Sequence, residues 1–165
     1  MAVIIRRAEE RDIEFILELL DQIRDLHYRG RPDIFRPSGT KYDSSELAEK
    51  IKNNDEIIFV AYDGEKPLGY ICTVLKEVKD HHILLDKKVL YIDDLCVYPD
   101  SRGRGVGRML MDKAKDHAIA NGCSSLELVC WKFDGSAEGF YRSYGFTTMS
   151  RRMEYKIYNE NDEEN

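Results

Sequence analysis

A glycine- and arginine-rich loop near residue 100 constrains the fold of this chain most, because it separates two stretches with different periodicities. Residues 89–98 are a dense run of strand-forming side chains, and the helical spacing that begins at Val106 ends at Asn121 and Gly122. Residues 126–131 are typical of another strand. A strand, a crossover helix and a second strand form a parallel unit, so we predict an α/β crossover here.

Hydrophobic periodicity places the other elements around this unit. We predict strands over 3–6, 56–62 and 68–78, with Asp63-Gly64 as the turn of a hairpin between the last two. Helical spacing predicts helices over 12–28 and, after a capping box that begins at Asp43, over 43–51. A short helix over 136–144 and a final strand or strand pair over 146–158 complete the chain. This order predicts an α/β domain whose mixed sheet is flanked by helices.

Composition places the chain among soluble globular proteins. It has 165 residues, 42% hydrophobic and 34% charged, and we expect one domain over 1–158 with an acidic, disordered tail over 159–165. Acidic residues outnumber Lys and Arg by 31 to 25, which argues against a nucleic-acid partner. No apolar run approaches the length of a membrane span and the first residues lack a signal-peptide core, so we expect a cytoplasmic protein without a membrane partner.

Cysteine and histidine spacing does not indicate a metal site. The 4 cysteines form no CxxC pair, and the 4 histidines show no ligand spacing with them or with each other. We therefore expect no metal, and we interpret the cysteines as small buried residues of a reducing compartment.

The loop itself predicts an anion-binding site. A helix N-terminus carries unpaired N–H groups and the positive end of the helix dipole, and glycines let a ligand approach the backbone. Arginines add donors for phosphate oxygens. The residues concerned are Arg102, Gly103, Arg104, Gly105, Gly107 and Arg108. The spacing matches neither a dinucleotide fingerprint nor a P-loop, and a tight turn with surface arginines is the alternative.

Two motifs resemble the GNAT family of N-acetyltransferases. The first, which resembles the acyl-CoA pyrophosphate loop of that family, is Arg102-x-x-Gly105-x-Gly107. The second resembles the family pattern Asn-x-x-Ala-x-x-Phe-Tyr-x-x-x-Gly-Phe and is Asp134-x-x-Ala137-x-x-Phe140-Tyr141-x-x-x-Gly145-Phe146. The element order matches over 3–157. Asp134 departs from the family asparagine, which puts the contact made there in doubt.

The resemblance implies the GNAT fold and acetyl-CoA as co-substrate, without a metal. It implies direct attack of an amine on the thioester in a ternary complex, with Tyr141 supplying a proton to the CoA thiolate; a core aromatic is the alternative for this tyrosine. The residues implied in CoA binding are Leu95, Cys96, Val97, Arg102, Gly103, Arg104, Gly105, Val106, Gly107, Arg108, Asp134, Ala137 and Tyr141.

The base that deprotonates the amine is Asp93 or Asp94 in this interpretation, with Asp93 preferred. Alternation along a strand directs the two carboxylates to opposite faces, and either of them is otherwise an exposed or capping residue. For the acceptor we select Tyr28, Phe35 and Trp131 as candidate contacts, with surface solvation as the alternative.

The resulting prediction is acetyl transfer to a primary amine of a small molecule. The acidic pair favours a cationic acceptor such as a polyamine, an aminoglycoside or lysine. Acetylation of a protein N-terminus or lysine, or a non-catalytic acyl-CoA sensor, are the alternatives. The resemblance also implies a homodimer formed through the C-terminal strands.

Overall fold

A five-stranded mixed sheet forms the centre of the computed structural model, which describes residues 2–133 and 136–157. In spatial order, the strands are β1 (Val3–Arg7), β2 (Glu56–Asp63), β3 (Lys66–Val78), β4 (Lys87–Val97) and β5 (Ser125–Glu127). The pairs from β1 to β4 are antiparallel, and β4 pairs with β5 in parallel. The predicted mixed sheet, hairpin and parallel crossover are therefore confirmed.

The sheet separates two hydrophobic cores. Helices α1 (Ile13–Gly30) and α2 (Ser44–Lys52) cover one face, and α3 (Val106–Ala120) and α4 (Ser136–Tyr144) cover the other. The core beneath α1 and α2 contains Ile16, Leu19, Leu47, Val60 and Tyr70. The core beneath α3 and α4 contains Leu68, Ile71, Leu90, Leu110 and Met111. Because strand side chains alternate between faces, the three central strands contribute to both cores.

The loop over 31–43, which joins α1 to α2, is anchored at its C-terminal end. The predicted capping box is present: the Glu46 N–H donates to the Asp43 carboxylate and the Asp43 N–H donates to the Glu46 carboxylate, both at 2.8 Å. Arg24 of α1 also donates to the Gly39 carbonyl at 2.6 Å. The short segment between these two anchors is therefore held in a fixed position.

A buried ion pair joins β1 to the start of α1. The Asp12 side chain is fully buried, and the Arg6 guanidinium donates to its two oxygens at 2.7 and 2.9 Å. The Tyr62 hydroxyl and the Glu9 N–H donate to the same carboxylate at 2.6 and 2.7 Å. Burial by itself raises the pKa of Asp12, but these donors outweigh burial and lower the pKa below its ordinary value of 3.8.

The C-terminal region differs from the sequence prediction in two places. The strand predicted over 126–131 is short, because only Ser125–Glu127 pairs with β4. The final strand predicted over 146–158 is absent from its described part, 146–157, which pairs with no described strand. Apolar alternation alone does not form a strand, since N–H and C=O groups need a neighbour. Tyr158 and the predicted tail lie outside the described residues. No described helix is long and apolar enough to cross a membrane.

Candidate functional site

The glycine-rich loop joins β4 to α3 and leaves the start of α3 open. Gly103 and Gly105 have φ values of +73° and +81°, a region that other residues rarely adopt. A Cβ at Gly107 would lie 3.3 Å from the Phe140 ring, so this glycine lets α4 pack closely. The Val106 side chain is buried in the core. No side chain of the described chain caps α3, so the N–H groups of its first turn are available to an anion.

Two of the loop arginines lie beside this open helix start. Arg102 is exposed and donates through Nε to the Val97 carbonyl at 3.1 Å. Arg104 is also exposed, and its guanidinium lies 3.8 Å from a carboxylate oxygen of Asp63 in a loose ion pair. Both arginine side chains are therefore exposed next to the loop.

The third arginine connects two helices. Arg108 donates to the Ser143 carbonyl of α4 at 3.1 Å, and its guanidinium carbon lies 5.3 Å from the centre of the Tyr144 ring. These contacts hold the start of α3 against α4. We predicted that Arg108 would bind a phosphate, but in this structure its guanidinium contacts α4.

Beyond its short pairing with β5, β4 has a free edge. The β5 strand pairs with β4 only as far as Tyr91, and β4 continues to Val97. No strand of the described chain pairs with this edge beyond Tyr91. Leu95 and Val97 pack on the α3 side of the sheet, and Cys96 packs on the α1 side. The edge therefore offers backbone N–H and C=O groups to a ligand that lies between the two strands.

A bulge in β4 brings the two candidate bases to one face of the sheet. Consecutive residues of β3 pair with Ile92 and Asp94, so Asp93 is an extra residue in β4. Ile92 before the bulge and Leu95 after it both pack on the α3 side, which strict alternation would not allow. The prediction that Asp93 and Asp94 point to opposite faces is therefore wrong, because alternation holds only for a strand without a bulge.

A lysine from the loop over 31–43 joins the two carboxylates. Lys41 Nζ lies 2.6 Å from Asp94 Oδ2 and 2.9 Å from Asp93 Oδ2, and the Tyr42 hydroxyl donates to the same Asp93 oxygen at 3.2 Å. The Asp94 side chain is only 8% exposed and the Asp93 side chain 28%. Sequence reasoning missed Lys41 because no local pattern connects residues 52 positions apart.

Asp94 and Lys41 have pKa values that differ from those of exposed residues of the same type. Burial raises the pKa of Asp94 to about 6, although the Lys41 ammonium opposes this rise. Burial lowers the pKa of Lys41, but the two carboxylates outweigh burial and raise this pKa above its ordinary value. Lys41 therefore stays charged at neutral pH, while Asp94 titrates close to neutrality.

Tyr141 lies in α4 with its ring in the core beneath α3. The ring centre is 5.3 Å from that of Phe140 and 5.7 Å from that of Phe146. Burial, with a smaller contribution from the Asp94 charge, raises the pKa of Tyr141 well above its ordinary value of 10. A phenol in this environment keeps its proton at neutral pH.

Phe35 and Trp131 meet in an aromatic cluster with His27 and Phe133, which sequence reasoning did not select. The ring centres of Phe35 and Trp131 are 5.2 Å apart, His27 lies 4.7 Å from Phe35, and Phe133 stacks on Trp131 at 5.7 Å. A Cβ at Gly30 would lie 2.3 Å from the Phe133 ring, so the absence of a side chain permits this contact. The cluster joins the loop after α1 to the segment after β5.

Three other residues that we predicted from the sequence as site residues, Tyr28, Ala137 and Asp134, have no described contact with the acid pair or the aromatic cluster. The ring pairs of the aromatic cluster do not include Tyr28. Ala137 is exposed in the first turn of α4, and Asp134 lies outside the described residues. Within the described ranges, no group of three or more His, Cys, Asp or Glu side chains is arranged to hold a metal ion.

In the described chain, fold and site together are those of an α/β domain in which an uncapped helix start follows a strand with a free edge. Residues 20–146 match the family model described as the Acetyltransferase (GNAT) family. This chain therefore belongs to the GNAT family of N-acetyltransferases, and it is an acetyltransferase. The resemblance inferred from the two motifs is confirmed.

Individual relatives agree with the family match. The chain is 28% identical over 142 residues to an uncharacterized N-acetyltransferase, YhfO, of Bacillus subtilis (strain 168), covering 86% of this chain and 88% of that protein. It is 22% identical over 160 residues to the thialysine N-epsilon-acetyltransferase of Bos taurus, covering 87% of this chain and 83% of that protein. A crystal structure of a mutant BH1408 protein from Bacillus halodurans matches with a TM-score of 0.90 and 28% identity, over 94% of this chain and 99% of that one.

Proposed function

We propose that this acetyltransferase transfers the acetyl group of acetyl-CoA directly to the primary amine of a small molecule. The observation that carries the proposal is the acid pair of Asp93 and Asp94 at the β4 bulge, beside the free edge of that strand. Attack on a thioester needs a base, since only the neutral amine is nucleophilic, and a donor for the oxygen that becomes negative. The acid pair supplies the base and the strand edge supplies the donor.

The open start of α3 suits the pyrophosphate of the donor substrate. Backbone N–H groups over 103–108 and the helix dipole attract phosphate oxygens. Arg102 donates to the Val97 carbonyl through Nε, which leaves its terminal N–H groups for phosphate. With the pyrophosphate held there, the thioester lies along the β4 edge, where the N–H of Cys96 or Val97 donates to its carbonyl oxygen.

Proton transfer is assigned to Asp94 and Tyr141. A pKa of about 6 leaves Asp94 ionised at neutral pH, yet it accepts a proton more readily than an ordinary carboxylate does. Asp94 accepts the proton that the ammonium must lose before it attacks. The C–N bond then forms and the C–S bond breaks. The phenol proton of Tyr141 passes to the departing sulfur, and the second proton lost by the amine nitrogen returns to Tyr141 through solvent. The raised pKa of Tyr141 suits this role, because the phenol stays protonated until the thiolate forms.

The recessed position of the acid pair favours a small acceptor over a protein. Lys41 and Tyr42 of the loop over 31–43 contact the pair, and the Asp94 and Asp93 side chains are 8% and 28% exposed. A small amine reaches a carboxylate in such a recess, whereas a peptide needs an open groove on either side of the reacting nitrogen. The bovine relative is named for the N-epsilon of thialysine, which is also a small amine.

Release of the CoA thiol from acetyl-CoA tests the proposal, with a panel of small amines and short peptides as acceptors. Turnover with small amines supports it, turnover with peptides alone overturns the choice of acceptor, and absence of acetyl-CoA binding overturns the site. We expect Tyr141→Phe to lower kcat by about 100-fold with acetyl-CoA binding retained. Tyr144→Phe is the matched control, because that hydroxyl lies in the same helix and donates to Asp112 at 2.7 Å.

We also propose that the enzyme is a homodimer formed through residues 147–157. Two even-numbered side chains of this segment bind its own chain: Glu154 pairs with Arg31 at 2.6 Å and Lys156 with Asp33 at 3.1 Å. Odd-numbered apolar side chains are left 73–91% exposed, and these are Met149, Met153, Tyr155 and Ile157. A second copy would cover this apolar row and pair with the free backbone groups.

Light scattering on the purified protein tests this assembly. We expect the double variant Met153→Glu with Tyr155→Glu to be monomeric, because two charges would then lie in the apolar row. Arg152→Glu changes an exposed side chain of the same segment outside that row and is expected to remain dimeric. A monomeric wild-type protein would contradict the proposal.

A further inference from the structure

Lys41 halves the negative charge that the acid pair presents to an acceptor. Its ammonium contacts both carboxylates, at 2.6 and 2.9 Å. The other titratable groups near the pair add no charge. Burial raises the pKa of Tyr70 and Cys72 and lowers that of His27, so these three are neutral, as is Tyr42, while the Lys50 ammonium is paired with Glu56. With both carboxylates ionised, the group carries a net charge of −1.

We infer that Lys41 is a specificity-determining residue that makes the acceptor subsite select an amine with no second ammonium close to the reacting nitrogen. This inference rests on the proposed function, in which the acid pair receives the acceptor amine. Lys41 uses the Oδ2 atoms of Asp93 and Asp94, so their Oδ1 atoms remain for one ammonium. That ammonium neutralises the group, and a second one would meet no remaining negative charge and the ammonium of Lys41 itself.

An incoming ammonium does not readily replace Lys41, because the lysine is tethered. Its loop is fixed by the capping box at Asp43 and by the Arg24 contact to the Gly39 carbonyl. A tethered group competes at a high effective concentration, whereas a free acceptor also loses translational and rotational freedom. The inference reverses the expectation from sequence that the acidic pair attracts polyamines.

Two acceptors of equal length test the inference: butylamine, with one ammonium, and 1,3-diaminopropane, with two. The measured quantity is the ratio of kcat/KM for the diamine to kcat/KM for the monoamine. We expect Lys41→Met to raise this ratio by about tenfold at low salt. The increase should be smaller at high salt, because ions screen the repulsion between the Lys41 ammonium and the second ammonium of the diamine. Lys41→Arg keeps the charge and is expected to leave the ratio close to that of the wild type.

Lys50→Met is the matched control. Lys50 lies on the same face of the sheet and its ammonium lies 4.7 Å from the centre of the Tyr42 ring, but it pairs with Glu56 instead of the acid pair. An unchanged ratio in Lys50→Met supports the assignment to Lys41. An equal rise in both lysine variants, or no rise in a folded Lys41→Met, overturns it.

Calorimetry of the same two amines on CoA-saturated protein separates this inference from the proposed function. Charge-selective binding that depends on Lys41, without turnover, would reject the proposed reaction and keep the inference. Turnover with equal binding of the two amines in wild type and Lys41→Met would keep the reaction and reject the inference. Failure of all variants to bind either amine would also reject the inference, because the acid pair would then not be an amine subsite.

Discussion

Two buried aspartates of this chain, Asp12 and Asp94, have opposite electrostatic environments. Asp12 receives both arms of the Arg6 guanidinium as well as a hydroxyl and a backbone N–H, and its pKa is lowered. Asp94 shares one ammonium with Asp93, so burial dominates and its pKa rises to about 6. The number and geometry of donors therefore decide whether a buried carboxylate stabilises the fold or remains available to take up a proton.

The largest effect that we expect from this comparison is on the structural aspartate. Asp12→Asn should lower the free energy of unfolding by about 3 kcal/mol, because it removes the carboxylate partner of the partly exposed Arg6 guanidinium. Urea denaturation at pH 7 measures this loss. Asp116→Asn, at an exposed position of α3, serves as the control, and a loss of stability as small as that of the control would remove the distinction between the two aspartates.

The corresponding change at Asp94 should act on activity and not on stability. Asp94→Asn is expected to lower kcat/KM by about 100-fold or more, since a general base contributes on that scale. Its free energy of unfolding at pH 7 should be equal to or higher than that of the wild type, because a buried charge with a raised pKa opposes folding. Steady-state kinetics and urea denaturation of one preparation test both parts. A clear loss of stability would show that Asp94 belongs with Asp12.

Asp12 and Asp93 each accept a hydrogen bond from a tyrosine, which gives a comparison of smaller expected effects. Tyr62→Phe removes a 2.6 Å bond to the fully buried Asp12 and should lower the free energy of unfolding by about 1.5–3 kcal/mol. Tyr42→Phe removes a 3.2 Å bond to the partly exposed Asp93 and should lower it by less than about 1 kcal/mol. Equal losses in the two variants would contradict the proposed difference in donor strength.

The two aspartates should also differ in the pH dependence that they give to the stability of the wild type. Between about pH 4 and 6 the folded chain keeps a proton on Asp94 that an unfolded carboxyl with a pKa of 3.8 has lost, so stability should fall by about 3 kcal/mol as pH rises through this window. Asp12 acts in the opposite sense: its contribution is present above pH 3.8 and is lost as pH falls through its lowered pKa.

Denaturation curves at several pH values measure these slopes. Asp94→Asn should flatten the slope between pH 4 and 6 and leave the acid limb intact. The wild-type kcat/KM should rise with pH around a midpoint near 6 as the base ionises. If kcat/KM does not change with pH around pH 6, Asp94 is not the base.

The C-terminal region shows that an apolar sequence pattern alone does not predict a strand. Apolar residues alternate at Met153, Tyr155 and Ile157, and β2 contains a continuous apolar run, yet only β2 forms a strand in the described chain. Both neighbours of β2 are present in the same chain, so its N–H and C=O groups are paired on both edges. The sequence pattern indicates which face of a strand is apolar. Backbone pairing depends on whether another strand lies beside it in the fold.

The sequence by itself determined the features that depend on neighbours in the chain. The glycine loop, the crossover helix and the capping box at Asp43 follow from local spacing, and the GNAT motifs around Gly105 and Tyr141 identified the family. Only the tertiary structure decided the site electrostatics, because the β4 bulge at Asp93 depends on register with β3 and Lys41 reaches Asp94 across the fold. Charge interactions between distant residues follow distance in space, which one-dimensional spacing does not contain.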